Sequence, residues 1–107
     1  MNQETKYKVL KILEKHPEYS QRQLAKELGV SLGKTHYILR SLIDIGWVKL
    51  ENFQKSKQKL GYVYLLTPEG IKEKSSITKQ FLLKKQEEYI YLKQEIVNLE
   101  KEVSQLK

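Results

Sequence analysis

Three observations predict a mainly α chain of the α+β class. Residues 20–45 hold two short amphipathic segments separated by the three-residue turn Gly29-Val30-Ser31. Trp47–Phe53 and Tyr62–Leu66 alternate like strands on either side of a polar, lysine-bearing stretch. Beyond Gly70 there is no further glycine or proline, and apolar residues recur there at spacings of 3 and 4. Together they describe a winged helix-turn-helix with a two-stranded wing over residues 1–67, followed by a long C-terminal dimerisation helix over 68–107.

Each element has a local cause. Asn2 caps a first helix that runs to about Lys15 with Val9, Leu10 and Leu13 inward. His16-Pro17 ends it, because the residue before proline is pushed out of helical φ/ψ. Ser20 caps the second helix, whose Leu24, Ala25 and Leu28 share one apolar face. Gly29 supplies the positive φ of a sharp exit, Val30 plugs the angle and Ser31 caps the third helix. There Thr35, Ile38, Leu39 and Leu42 form the inward stripe, and Gly46 ends the helix. The wing loop is expected to span Gln54–Gly61. Thr67-Pro68-Glu69-Gly70 then opens the last helix with a cap, a proline at the first helical position and an acid in the first turn.

Helical phase leaves Leu32, Gly33, Lys34, His36, Tyr37 and Arg40 outward on the third helix. Cations, imidazole, hydroxyl and small groups in one patch suit contact with phosphates and base edges of double-stranded DNA. Ser31 at the cap belongs to the same candidate surface. Arg40 fits either a guanine or a phosphate, and Tyr37 either faces DNA or packs on the preceding helix. Arg22, with the amides that begin the second helix, could hold backbone phosphate or be merely solvated. Lys55, Lys57 and Lys59 lie close enough to the wing tip to reach phosphates or a minor-groove edge. The alternative is a hairpin that uses lysine to blunt its edge.

Charge points the same way. The chain of 107 residues carries 20 Lys+Arg against 13 Asp+Glu, a net +7 that favours a polyanionic partner. Of that excess, +5 sits in residues 1–70 (12 basic, 7 acidic). Cysteine is absent, which excludes disulfides and thiolate chemistry. His16 and His36 lack ligand spacing, and no phosphate loop or carboxylate pair stands out, so neither enzyme nor metal nor cofactor is expected. A domain of this size is expected to have little room for a cleft. The first six residues lack an apolar core and no run reaches membrane-spanning length, so a soluble cytoplasmic protein is expected, with no membrane contact.

In the last helix Tyr89, Leu92, Ile96, Leu99, Val103 and Leu106 form a heptad seam, with Leu82 continuing it upstream and Lys85 interrupting it. β-Branched residues at a with leucine at d favour a parallel two-stranded homodimer. Glu88–Lys93 and Glu102–Lys107 pair attractively between parallel strands, and Glu95–Glu100 repels. Ile90, Tyr91 and Val97 lie at b and c, so the helix presents apolar residues on more than one face. Packing of this helix back onto its own domain is the competing possibility.

The run Gln21–Val48, the strand-wing-strand and Leu66-Thr67-Pro68-Glu69-Gly70 resemble the MarR-type winged-helix regulators. Nearly the whole chain is similar to the short subfamily found with bacterial exopolysaccharide gene clusters, through Asn2-Gln3-Glu4-Thr5, Ser31-Leu32-Gly33-Lys34, Gly46-Trp47-Val48 and Glu51-Asn52-Phe53. The resemblance implies a dimeric DNA-binding regulator whose third helix reads the major groove while the wing contacts the flank. It departs from the MarR pattern in having one long C-terminal helix instead of two. The Asp-Arg pair usual at the wing is replaced by Gln58 and Lys59. No residue pattern marks an effector pocket. The rival function is a protein-interaction module with only nonspecific DNA affinity, recruiting a partner through the Leu92/Ile96/Leu99/Val103 stripe.

Overall fold

The computed structural model describes residues 2–56 and 59–106, apart from the side chains of residues 53–60. Four helices and one hairpin follow in the order α1 (Gln3–Lys15), α2 (Gln21–Leu28), α3 (Leu32–Asp44), β1 (Val48–Ser56), β2 (Lys59–Leu66) and α4 (Pro68–Ser104). The helix starts are set by short polar side chains. Asn2 accepts from the Thr5 amide at 2.8 Å, and Ser31 from the Lys34 amide at 3.1 Å. At α2 the capping is reciprocal: Ser20 Oγ accepts from Gln23 N, and Gln23 Oε1 accepts from Ser20 N.

Gly29 adopts φ 71°, and its amide and that of Val30 both return to the Ala25 carbonyl, closing α2 so that α3 can leave at a sharp angle. Gly46, at φ 83°, performs the same reversal after α3. One core joins these pieces: Val9, Leu10 and Leu13 from α1, Leu24 from α2, Ile38, Leu39 and Leu42 from α3, Val48 from β1 and Tyr64 from β2. Leu28 reaches only its edge. The hairpin is tied to the helices through its second strand, where the Tyr64 amide donates to the Pro17 carbonyl and the Tyr64 hydroxyl accepts from Gln21 Nε2.

The wing is longer than the side-chain pattern predicts. β1 continues to Ser56 and β2 begins at Lys59, with pairing from Val48↔Leu66 to Ser56↔Lys59 and a register shift between Gln54 and Ser56. The expected loop over Gln54–Gly61 is therefore mostly ladder. Backbone groups make a ladder whatever side chains they carry, so a stretch of polar residue types shows no alternation to read. Lys57 and Gln58 lie outside the described residues, as does Lys107.

The last helix begins by locking onto the domain. Thr67 Oγ1 accepts from the Gly70 amide and donates to the Gly46 carbonyl, joining the exit of α3 to the start of α4. Gly70 is buried against the Trp47 backbone, and Ile77 is buried beyond it. Phe81 stacks on Tyr7 of α1 with ring centroids 5.4 Å apart, and Lys74 pairs with Glu14 at 3.1 Å. From Leu82 onward every apolar side chain of α4 is exposed. The helix ends at Ser104, so Leu106, expected as its last seam residue, lies just past the helix. The projecting helix gives the chain a long dimension of 75 Å against 27 and 21 Å.

Candidate nucleic-acid interface

α3 is held by one face and bare on the other. Its inward side, Thr35, Ile38, Leu39 and Leu42, is buried, and the Thr35 hydroxyl donates to the Ser31 carbonyl at 2.9 Å. That bond satisfies the one polar group on the buried stripe, so the helix is anchored without an orphaned donor. The outward side carries Leu32, Gly33, Lys34, His36, Tyr37 and Arg40, all exposed. Tyr37 is 66% exposed. Gly33, Tyr37 and Arg40 run down the middle of this face, with Lys34 on one flank and His36 on the other.

The amides that open α3 add positive potential, since the first turn of a helix leaves N–H groups without internal partners. Ser31 takes up one of them, from Lys34. Arg22 is exposed in the first turn of α2. Lys55 and Lys59 lie in the outer part of the wing ladder, on opposite strands. The structure thus brings Ser31, Leu32, Gly33, Lys34, His36, Tyr37 and Arg40 onto one helix end and face.

Two interactions on this face escape the sequence pattern. Asp44 pairs with Arg40 at 3.5 Å, both side chains well exposed, and Ser41 Oγ donates to the Tyr37 carbonyl at 2.9 Å. Spacing of i to i+4 was the available signal for both. Because the Arg40–Asp44 pair is solvent-screened it holds the guanidinium only weakly, by about 0.3–0.5 kcal/mol for a helical i,i+4 pair.

A second feature was also not legible. Between α1, the end of α2 and α4 lies a cleft of about 510 Å³, lined by Tyr7, Lys8, Lys11, Lys15, Phe81 and Lys85 among others. The expectation of little room for a cleft is therefore corrected. The domain is small, but α4 crossing α1 leaves an open groove that neither helix bounds alone. Among the described residues no group of His, Cys, Asp and Glu is arranged to hold a metal ion. No helix among them is long and apolar enough to cross a membrane.

Residues 3–49 match the family described as winged helix-turn-helix DNA-binding. The whole architecture is similar to that of E. coli MarR, solved as a mutant, with a TM-score of 0.69 at 22% identity over 94% of this chain and 74% of that one. The chain has the MarR-type winged-helix fold. S. aureus MepR, also solved as a mutant, aligns with a TM-score of 0.65 at 22% identity over 100% of this chain and 80% of that one. Streptococcus pneumoniae FabT, solved in complex with DNA, aligns at 0.55 and 21% identity over 96% and 76% of the two chains. No curated protein matches the sequence. A match to a DNA-binding winged helix-turn-helix over residues 3–49 thus sits within a MarR-type fold.

Proposed function

We propose that the chain acts as a homodimeric, sequence-specific transcriptional regulator on a pseudo-palindromic operator. The observation that carries this is α3 itself: one face is locked into the core, and the other presents Lys34, His36, Tyr37 and Arg40 to solvent. A rigid helix with such an outward face fits the major groove, where Lys34 and Arg40 meet phosphate or guanine and Leu32 a thymine methyl. Ser31 and Arg22 hold the backbone on one flank, and the wing, with Lys55, Lys57 and Lys59, holds it on the other.

Dimerisation through α4 places two copies of α3 about one helical turn of DNA apart. The division of labour then falls within α4. Its turns through Phe81 belong with the DNA-binding unit, and the part from Leu82 serves pairing. Leu82, Tyr89, Leu92, Ile96, Leu99 and Val103, all exposed in the single chain, support this role. Resemblance to the exopolysaccharide-associated subfamily supports control of exopolysaccharide genes from the cytoplasm as the setting.

The test is titration of a labelled duplex from the gene's own upstream region beside a scrambled duplex, at low and at physiological salt. A regulator prefers the native duplex by about a thousandfold or more. With ~4–6 phosphates neutralised per protomer, affinity falls with log salt at a slope on the order of −7 to −11. Equal binding to both duplexes, abolished by salt, refutes the proposal and leaves a protein-interaction module.

A further inference from the structure

The free part of α4 carries information about how two copies meet, and the inference rests on the homodimer reading above. We infer that the α4 helices pair with each other in parallel and in register from Leu82 onward, with the two-fold axis running along the seam. The first support is which face the domain leaves free. Gly70, Lys74, Ile77 and Phe81, the residues that touch α1 or the Trp47 backbone, all occupy the c and g positions of the heptad whose a and d are Ile96 and Leu99. The a/d seam therefore points about a quarter-turn or more away from the protein's own domain. Leu82, Tyr89, Leu92, Ile96, Leu99 and Val103 are each between 46% and 66% exposed.

The second support is the charge beside the seam. Position g holds Glu88, Glu95 and Glu102, and position e holds Lys93 and Glu100. Parallel strands set g against the following e of the other strand. Glu88 then meets Lys93 of the second copy on both sides of the axis, and Glu95 meets Glu100. Antiparallel strands set g against g and e against e. Centred on the free stretch, that places Glu88 beside Glu102, Glu95 beside Glu95 and Lys93 beside Lys93, all like charges. Seam shape agrees with the charges. Ile96, Leu99, Glu100, Val103 and Ser104 line a shallow depression on α4, and the first four are the a-d-e-a set that receives a d-position side chain in a parallel pair.

The chain has no cysteine, so single cysteines report the pairing without interference. Leu82→Cys and Val103→Cys are oxidised separately and as a mixture, while sedimentation of the unaltered protein reports the oligomeric state. Parallel, in-register pairing brings each cysteine within disulfide reach of its own copy, so both single variants convert to covalent dimer. Antiparallel pairing puts the two copies of Cys at position 82 more than about 20 Å apart at 1.5 Å of rise per residue. Covalent dimer appearing only in the mixture, with a sedimenting dimer, overturns the orientation and keeps the homodimer. A sedimenting monomer with no covalent dimer overturns both. Glu95→Lys is the independent readout: parallel pairing turns its two repulsive contacts attractive and lowers the dimer dissociation constant several-fold. Unchanged or weaker dimerisation overturns the parallel assignment.

Discussion

Replacing Gly33 by alanine is expected to move stability and DNA binding in opposite directions. Gly33 lies in the first turn of α3 without a positive φ, so helical backbone there does not require glycine. A Cβ built on it meets nothing within 4 Å, so packing inside the chain does not require it either. Glycine costs about 0.5–1 kcal/mol relative to alanine within a helix. The variant should therefore gain up to about that amount, a rise of roughly 2–6 °C in Tm for a domain of this size. DNA binding should suffer if α3 enters the groove as proposed, because Gly33 sits in the middle of the outward face. A methyl group there would then hold α3 off the groove and lengthen every bond made by its neighbours. A loss of at least about tenfold, or about 1.4 kcal/mol, is expected for the native duplex. Thermal denaturation and fluorescence anisotropy on the same preparation measure both quantities. A more stable protein with unchanged affinity would show that nothing comes close to Gly33, and the assignment of this face would fail.

Other expectations follow from the same geometry. Lys34→Ala with Arg40→Ala should flatten the salt dependence, by about 0.9 for each phosphate no longer neutralised and up to ~3.6 for the four cations of a dimer, with sedimentation unchanged. An unaltered slope would mean that neither side chain meets a phosphate. Asp44→Asn frees Arg40 and removes a negative charge from the face, so low-salt affinity should rise several-fold while stability stays within about 0.5 kcal/mol. Affinity that falls instead would identify Asp44 as a direct DNA contact. Gly70→Ala drives a methyl group into the Trp47 carbonyl at the root of α4. The expected cost is about 1–3 kcal/mol, read by urea denaturation, and an unperturbed midpoint would count against that close approach.

Elements whose causes are local can be read from the residues alone. Asn2, Ser20, Ser31 and Thr67 each cap the helix expected of them, because a cap needs only a short side chain and an amide three residues on. Gly29 and Gly46 mark the two reversals that need positive φ. The inward and outward faces of α3 follow from its 3.6-residue period alone. At α2 the spacing Ser20-x-x-Gln23 carries, in residue type alone, the signature of the reciprocal cap that forms there.

Tertiary structure decided what depends on residues far apart in the chain. Pairing of Tyr7 with Phe81, of Glu14 with Lys74 and of Trp47 with Gly70 fixes where α4 leaves the domain, and none of these pairs has a periodic signature. The extended wing is a matter of backbone partnership, which polar side chains do not advertise. The basic cleft between α1 and α4 exists only once the two helices cross. Local capping and periodicity set which segments are helices; the packing of those segments against one another sets which of their faces remain open to a partner.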